Sequence, residues 1–252
     1  MRLLTLARDL KRRKARERQQ LFVSEGVRAV EELLRSPLRI RGALVAPQLR
    51  DAPRGAALER ALHDRNVELA EVNPHEFASA AETESPQGVL AIAEVPERTL
   101  GALSVLDGVR VLVLDALQDP GNVGTILRTA AALGVDATVA LPGTVDLWNA
   151  KVVRSAMGAH FHHSALQSTW DDLDAFRGEH DLVLWATDGH GEPVDRRAVP
   201  PRLALVVGNE GHGVSDSARQ RAERLVAIPI AAGVESLNVA VATGILLHEL
   251  RR

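Results

Sequence analysis

The sequence contains no cysteine, which excludes a disulfide framework and thiolate zinc sites and fits a reducing compartment. No continuous apolar segment stands near the N-terminus, so we expect no secretory signal. The longest apolar run, from Val239 to Leu247, is too short to span a bilayer. These absences together predict a cytoplasmic protein that does not contact a membrane.

Several catalytic signatures are also missing. There is no Walker A sequence and no G-x-S-x-G elbow, which argues against an NTPase and a serine hydrolase. The glycines of residues 208–213 do not follow the G-x-G-x-x-G spacing, which argues against a nicotinamide-dependent enzyme. Three histidines lie close together without a nearby acidic pair, so we predict no metal: His160, His162 and His163.

Charge is distributed unevenly along the chain. The 252 residues have a net charge of only -3, and 46% of them are apolar, enough to form a sizeable core. Eight basic residues nevertheless fall between Met1 and Arg18, opposed only by Asp9 and Glu17. Such a block is typical of a phosphate-contacting arm or of a solvated helix.

The order of predicted elements indicates an α/β protein in two parts. A basic helix over residues 1–20, a helix over residues 25–34 capped by Ser24, and short strands and helices up to residue 96 predict a small α/β domain. Residues 97–108 are rich in turn formers and predict a linker. Strands and helices alternate more clearly over residues 109–252, which predicts a parallel sheet with helices on both faces.

Four polar or glycine-rich loops follow strands of this second part, at residues 118–124, 187–191, 208–213 and 228–238. In such sheets ligands bind at the carboxyl ends of the strands, so we expect these loops to form a site. Asn122, Ser236 and Asn238 could equally be helix N-caps, because serine and asparagine are favoured there. Arg128 and Glu210 could equally face solvent.

Taken together, the loops resemble the three motifs of the SpoU/TrmH branch of the SPOUT RNA methyltransferases. The matching stretches are Gln118-Asp-Pro-Gly-Asn-Val-Gly124 with Arg128, Val207-Gly-Asn-Glu-Gly211, and Ile228-Pro-Ile230 with Glu235-Ser-Leu-Asn238. The first half resembles that family's L30e-like substrate-binding module, most strongly at Phe22-Val-Ser-Glu-Gly26 and Ser85-Pro-Gln-Gly-Val-Leu-Ala91. The resemblance therefore covers most of the chain.

The resemblance implies a deep trefoil knot in the C-terminal domain, a homodimer, and a site for S-adenosylmethionine built from the knotted loops. The implied cofactor-binding residues are Thr187, Gly208, Gly211, Ile228, Ile230 and Leu237. The implied catalytic residues are Asn122, Arg128, Glu210, Ser236 and Asn238.

The implied reaction transfers a methyl group to a ribose 2′-hydroxyl of RNA and needs no metal. The resemblance assigns proton removal to Arg128, but arginine is almost always protonated, so binding of an adjacent phosphate is an equal alternative. The N-terminal module favours 23S rRNA over transfer RNA as the substrate. A non-catalytic RNA-binding protein on the same fold is the rival hypothesis, and the presence of all five catalytic positions argues against it.

Overall fold

The computed structural model describes residues 2–105 and 108–251. Leu106 and Asp107, which belong to the predicted linker, lie outside the described residues. The α-helices, α1 to α11 in chain order, are Arg2–Asp9, Arg13–Gln19, Val27–Arg35, Pro53–Asp64, Pro74–Ala80, Pro120–Ala132, Ala150–Ser155, Ala159–His162, Trp170–His180, Asp216–Arg221 and Val239–Glu249. The strands, β1 to β10, are Leu21–Glu25, Ile40–Val45, Leu69–Glu71, Val89–Glu94, Val109–Asp115, Ala137–Ala140, Ser164–Gln167, Val183–Pro193, Arg202–Gly208 and Arg224–Ala227. Short 3₁₀ helices cover Pro47–Asp51, Leu100–Ala102 and Arg196–Ala198.

The chain forms two compact units, and the first is built from two separate pieces. The first unit comprises Met1–Glu97 with Trp148–His162, and the second comprises Arg98–Leu147 with His163–Arg252. The predicted division at residues 96 and 109 differs from this one in assigning residues 148–162 to the second part. It also differs in treating residues 97–108 as a linker, because Leu100 lies in the core of the second unit.

The first unit contains a four-stranded sheet in the order β1-β4-β2-β3. Strand β4 runs antiparallel to β1 and β2, whereas β2 and β3 are parallel. The inner strands carry continuous apolar sequence, and Leu44, Leu90 and Ile92 are fully buried with Phe77 of α5. Burial of these side chains supplies the main stabilising term of the unit.

The predicted single basic helix over residues 1–20 is wrong, because the chain breaks into α1 and α2. Leu3, Leu4 and Ala7 of α1 are buried in the core of the first unit. Leu10, in the turn after α1, is buried with them. The apolar face of α1 thus packs against the core, and the charged side chains lie on the opposite face.

The predicted N-cap at Ser24 is also wrong. Ser24 is a fully buried residue of β1, paired with Ala91 of β4. Helix α3 begins two residues later than expected, after Gly26 at a φ of 98°. All five residues of β1 are buried, and the sheet pairing overrides the local preference of serine for a helix start.

The second piece of the first unit closes its core with aromatic rings. The ring of Trp148 lies 4.5 Å from that of Phe22, and the ring of Phe161 lies 5.8 Å from Phe22. Gly158, at a φ of 86°, lies so near Glu32 that a Cβ there would stand 2.5 Å from that side chain. Residues 148–162 are therefore an integral part of this core.

The second unit contains a six-stranded parallel sheet in the order β10-β8-β9-β5-β6-β7. Its central strands are buried along their length, and Val111, Val113 and Val206 belong to one core with Leu173 and Phe176 of α9. The predicted α/β class with a parallel sheet is confirmed, whereas the knot stays a prediction. All the loops expected to form a site belong to this unit.

Candidate active site

The loops after β5 and β9 are tied together at the carboxyl edge of the parallel sheet. The backbone N–H of Ser215 donates to the buried carboxylate of Asp115 over 2.7 Å. Ala116 follows with a φ of 56°, a conformation rarely adopted by alanine, and its carbonyl accepts a 3.0 Å bond from the Asn209 amide. These bonds fix where both loops leave the sheet.

The loop after β9 is a tight hairpin that presents Glu210 at its tip. Backbone bonds of 2.9 Å run in both directions between Asn209 and Gly213. Asn209 Oδ1 accepts a further 2.9 Å bond from the backbone N–H of Gly211. Position 208 must be glycine here, because a Cβ would lie 2.1 Å from the backbone of Gly213.

Helix α6 carries the next component of the site. Asp119 is its N-cap and accepts a 2.7 Å bond from the backbone N–H of Asn122. The alternative in which Asn122 is the N-cap is therefore wrong, and its amide group is available for other contacts. Its Nδ2 donates to Glu210 Oε1 over 3.1 Å, and its Oδ1 accepts from Asn238 Nδ2 over 3.0 Å.

Asn238 serves both as a helix cap and as a member of the site. Its Oδ1 accepts bonds from the backbone N–H groups of Ala240 and Val241 at the start of α11, at 2.9 Å and 3.3 Å. Its Nδ2 donates to Asn122. Glu210, Asn122 and Asn238 thus form a continuous hydrogen-bonded chain between three loops, which we call the amide relay. Because an asparagine amide has distinct donor and acceptor ends, the relay has a defined direction.

The remaining two predicted catalytic residues are both exposed. Arg128 lies on α6, six residues after Asn122, and is exposed. Ser236 is exposed in the segment before α11. The structure thus brings together Asn122, Glu210 and Asn238 through hydrogen bonds.

The predicted loop at residues 187–191 lies within the long strand β8 rather than after it. The register of β8 with β10 shifts here from Ala186 to Glu192, so the intervening residues leave the ladder. Thr187 is half-buried at the start of this excursion, and Asp188 is held by an ion pair with Arg219. The ion pair therefore ties the unpaired residues of β8 to α10.

The segment between β10 and α11 exposes apolar side chains. Ile230 is 41%, Val234 51% and Leu237 36% exposed, whereas Ile228 is half-buried. Most other large apolar residues of the described chain are buried, so this group stands out. Isolated exposed side chains need no explanation, but a cluster beside a glycine loop indicates a ligand surface.

A groove of about 550 Å³ runs between α6 and α11. Asn122 and Asn238 lie in its wall, and Thr129, Val241 and Ile245 line it further along. Val241 and Ile245, one helical turn apart, are 53% and 39% exposed. The groove is therefore polar at the end where it meets the amide relay and apolar further along α11.

The three clustered histidines fall into different surroundings. His160 is buried in the first unit against Trp148, with ring centroids 4.1 Å apart. In the second unit, His163 Nε2 lies 2.7 Å from Thr138 Oγ1, and burial with the nearby Arg98 lowers the pKa of His163 to about 4. Within residues 2–105 and 108–251, no group of three acidic or histidine side chains is arranged to bind a metal. No helix in that part of the chain is long and apolar enough to cross a membrane.

A parallel α/β sheet with a polar centre on glycine-rich loops defines an enzyme-like unit joined to a smaller α/β unit. Comparison with known proteins identifies both parts. Residues 110–248 match the SpoU rRNA Methylase family, and residues 5–91 match the MRM3-like substrate binding domain. The chain belongs to the SpoU rRNA methylase family.

Characterised relatives match along nearly the whole chain. The chain is 35% identical over 245 residues to the 23S rRNA (guanosine(2553)-2′-O)-methyltransferase RlmP of Bacillus subtilis, covering 97% of this chain and 94% of that protein. It is 32% identical over 236 residues to the 23S rRNA (guanosine-2′-O-)-methyltransferase RlmB of Salmonella typhi, covering 90% and 96% of the two chains.

Solved structures match equally fully. The SpoU methyltransferase AviRb of Streptomyces viridochromogenes in complex with AdoMet superposes with a TM-score of 0.87 at 28% identity, covering 98% of this chain and 96% of that one. The AdoMet-bound rRNA methyltransferase of Sinorhizobium meliloti gives a TM-score of 0.84 at 28% identity, with 98% and 93% covered.

Proposed function

We propose that the protein transfers a methyl group from S-adenosylmethionine to a ribose 2′-hydroxyl of 23S rRNA in the cytoplasm. The observation that carries this proposal is the amide relay, which joins one residue from each of the three motif loops through bonds of 3.0 Å and 3.1 Å. The names of the relatives, which act on 23S rRNA, support the substrate.

The residues present fit S-adenosylmethionine. The cofactor supplies a methyl group bonded to a positively charged sulfur. When that methyl group is transferred, the rest of the cofactor leaves as a neutral thioether. Ile228, Ile230 and Leu237 would provide apolar walls for its adenosyl part, with Thr187 nearby, and the exposed Gly211 would let it approach the backbone. Gly208 would contribute backbone groups only, because a Cβ there would lie 2.1 Å from the backbone of Gly213.

The amide relay would orient the accepting ribose. A 2′-hydroxyl is a poor nucleophile until its proton has an acceptor. Glu210 accepts from Asn122 and so fixes which way that amide faces. We infer that Asn122 and Asn238 align the hydroxyl while the Glu210 carboxylate or a water bound to it receives the proton. Ser236 is exposed before α11 and would contact the same ribose.

Arg128 would bind the RNA phosphate next to the target nucleotide. Its exposed guanidinium can form two parallel hydrogen bonds to a phosphate, which suits a contact with the RNA backbone better than proton transfer. We expect Arg128→Gln to lower the rate of methyl transfer by about 10-fold or more and to leave cofactor affinity unchanged. Steady-state kinetics with titration calorimetry would measure both, and turnover equal to that of the unmodified protein would exclude this role.

We also infer a homodimer that uses the groove between α6 and α11. Val241 and Ile245 present an exposed apolar pair there, and burial against a second copy would remove it from water. We propose in addition that the loops of the second unit form a trefoil knot, as the resemblance implies. Light scattering of the protein and of Val241→Asp would test the dimer, and an unmodified protein that is monomeric would contradict it.

The decisive experiment measures transfer of labelled methyl groups to RNA from a strain that lacks this gene. The RNA is fractionated into 23S rRNA, 16S rRNA and transfer RNA, and the label is located by nuclease digestion. We expect label on a ribose 2′-oxygen of 23S rRNA alone. Label in transfer RNA would contradict the substrate, and bound cofactor without transfer to any RNA or ribosomal particle would favour a non-catalytic protein.

A further inference from the structure

The first twenty residues differ in charge from the rest of the chain. They contain eight basic and two acidic residues and so carry +6, whereas the whole chain carries -3. The remaining residues therefore carry -9. A cationic segment on an otherwise acidic protein concentrates its attraction for anions in one place.

Three of these basic residues are used to hold the segment together. Arg16 is 5% exposed, and its Nη1 donates to the carbonyls of Leu10 and Lys11 over 2.8 Å and 2.9 Å. Lys11 Nζ donates to the carbonyls of Ser79 and Ala81, and Arg8 Nε donates to Ser79 Oγ. These bonds fix the turn between α1 and α2 against α5.

Four other basic residues line one concave surface of about 370 Å³, which we call the basic face: Arg12, Arg13, Lys14 and Arg18. Arg12 and Arg18 share Asp9, and Arg13 pairs with Glu17. Lys14 forms no ion pair within the described part of the chain. The carboxylates of Asp9 and Glu17 thus lie among these four cations.

The ion pairs of the basic face are weak enough to be exchanged. The side chains of Arg12, Arg13 and Arg18 are 74%, 55% and 73% exposed. Exposed pairs of this kind contribute only about 0.2 to 1 kcal/mol. Lys14 and Arg18 stand one turn apart on α2, where like charges are slightly destabilising. A polyanion that binds here relieves this repulsion.

We propose that the basic face binds the phosphate backbone of the RNA substrate. This inference rests on the proposed function, because it takes RNA as the polyanion. The buried apolar side of α1 and the Arg16 bonds hold the four cations on a fixed platform, so little order must be gained on binding. Such contacts position an RNA without reading its sequence.

The salt dependence of RNA binding tests the proposal quantitatively. The variant is R12Q/R13Q/K14Q, and the probe is a full-length 23S rRNA transcript bound between 50 and 200 mM KCl. Each phosphate contact contributes about 0.7 to 0.9 to the slope of log affinity against log salt. We expect the slope to fall by about 2 to 3, KM for RNA to rise, and kcat at saturating RNA to stay within about 2-fold.

Two matched variants control for folding and for net charge. R28Q/R35Q/R39Q removes three exposed arginines that do not line the basic face, and we expect it to keep the slope. R12K/R13K/K14R keeps the charges and should retain the slope. Circular dichroism and S-adenosylmethionine binding verify that each variant is folded.

The results separate this inference from the proposed function. An unchanged slope in R12Q/R13Q/K14Q, or an equal fall in R28Q/R35Q/R39Q, would overturn the basic face even if methyl transfer to 23S rRNA is normal. A face that serves an acidic protein would likewise leave the slope unchanged. If the unmodified protein transfers no methyl group to any RNA but the slope still falls, the basic face stands and the proposed function is wrong.

Discussion

Helices α6 and α11 both begin at the carboxyl edge of the parallel sheet, and both have an asparagine at that end. In α6 the cap is Asp119, and Asn122 has its side chain turned away from its own helix. In α11 the cap is Asn238 itself, yet its amide nitrogen also reaches Asn122. The Asn122 side chain therefore bonds only to side chains in the amide relay, whereas the Asn238 side chain bonds both to Asn122 and to the backbone of its own helix.

In α6 the residue that caps the helix and the residue that belongs to the amide relay are different, whereas in α11 Asn238 has both roles. A change at Asn122 alters the site without removing a cap, whereas a change at Asp119 does the reverse. A change at Asn238 alters both, because each end of its amide has a different partner. Substitutions at the two helix starts can therefore distinguish the two contributions.

The largest effect is expected from Asn238→Ala. Loss of the cap should lower the free energy of unfolding by about 1 kcal/mol, and loss of the amide donor should lower kcat by about 100-fold. Urea unfolding and methyl transfer measure the two effects. Asn238→Asp is the matched control, because aspartate also caps helices but cannot donate to Asn122. If Asn238→Asp retains full activity, the donor end of this residue does not act in the reaction.

Asn122→Ala should have a large effect on activity alone. It removes the central member of the amide relay, so we expect kcat to fall by about 100-fold. The free energy of unfolding should change by less than about 0.5 kcal/mol, because Asp119 still caps α6. The same two assays apply. A loss of stability comparable to that of Asn238→Ala would show that the two helix starts do not differ as described.

Asp119→Ala should have the smallest effect on activity. It removes the N-cap of α6 and should lower the free energy of unfolding by about 1 kcal/mol. Because its carboxylate does not belong to the amide relay, kcat at a temperature well below the unfolding transition should change by no more than about 3-fold. A fall of 100-fold there would place Asp119 among the residues that orient the ribose.

The two helix starts also show what the sequence can and cannot predict. Asp119 precedes a proline, and an N-cap residue followed by proline at the first helical position is a common start signal. That signal identifies Asp119 rather than Asn122 as the cap. No local pattern shows that Asn122 contacts Glu210, since 88 residues separate them and only the sheet order brings their loops together.

The central strands β5 and β9 can be recognised from the sequence, because buried parallel strands have nearly continuous apolar sequence. Strand β7, with only four residues, and helix α9, with only Leu173 and Phe176 buried, have no comparable apolar pattern. Helix α9 does carry a start signal, the capping box between Thr169 and Asp172. The predicted loop at residues 187–191 failed differently, because its glycines mark a break in pairing inside a strand rather than the end of the strand.

The two-piece construction of the first unit constrains the order in which the protein can mature. A ribosome adds about 5 to 20 residues per second, so Phe161 follows Phe22 by on the order of ten seconds. Throughout that interval the aromatic face of the first unit lacks its partners. Residues 148–162 must therefore leave the ribosomal exit tunnel before the first unit can complete its core. By then the synthesis of the second unit has already begun.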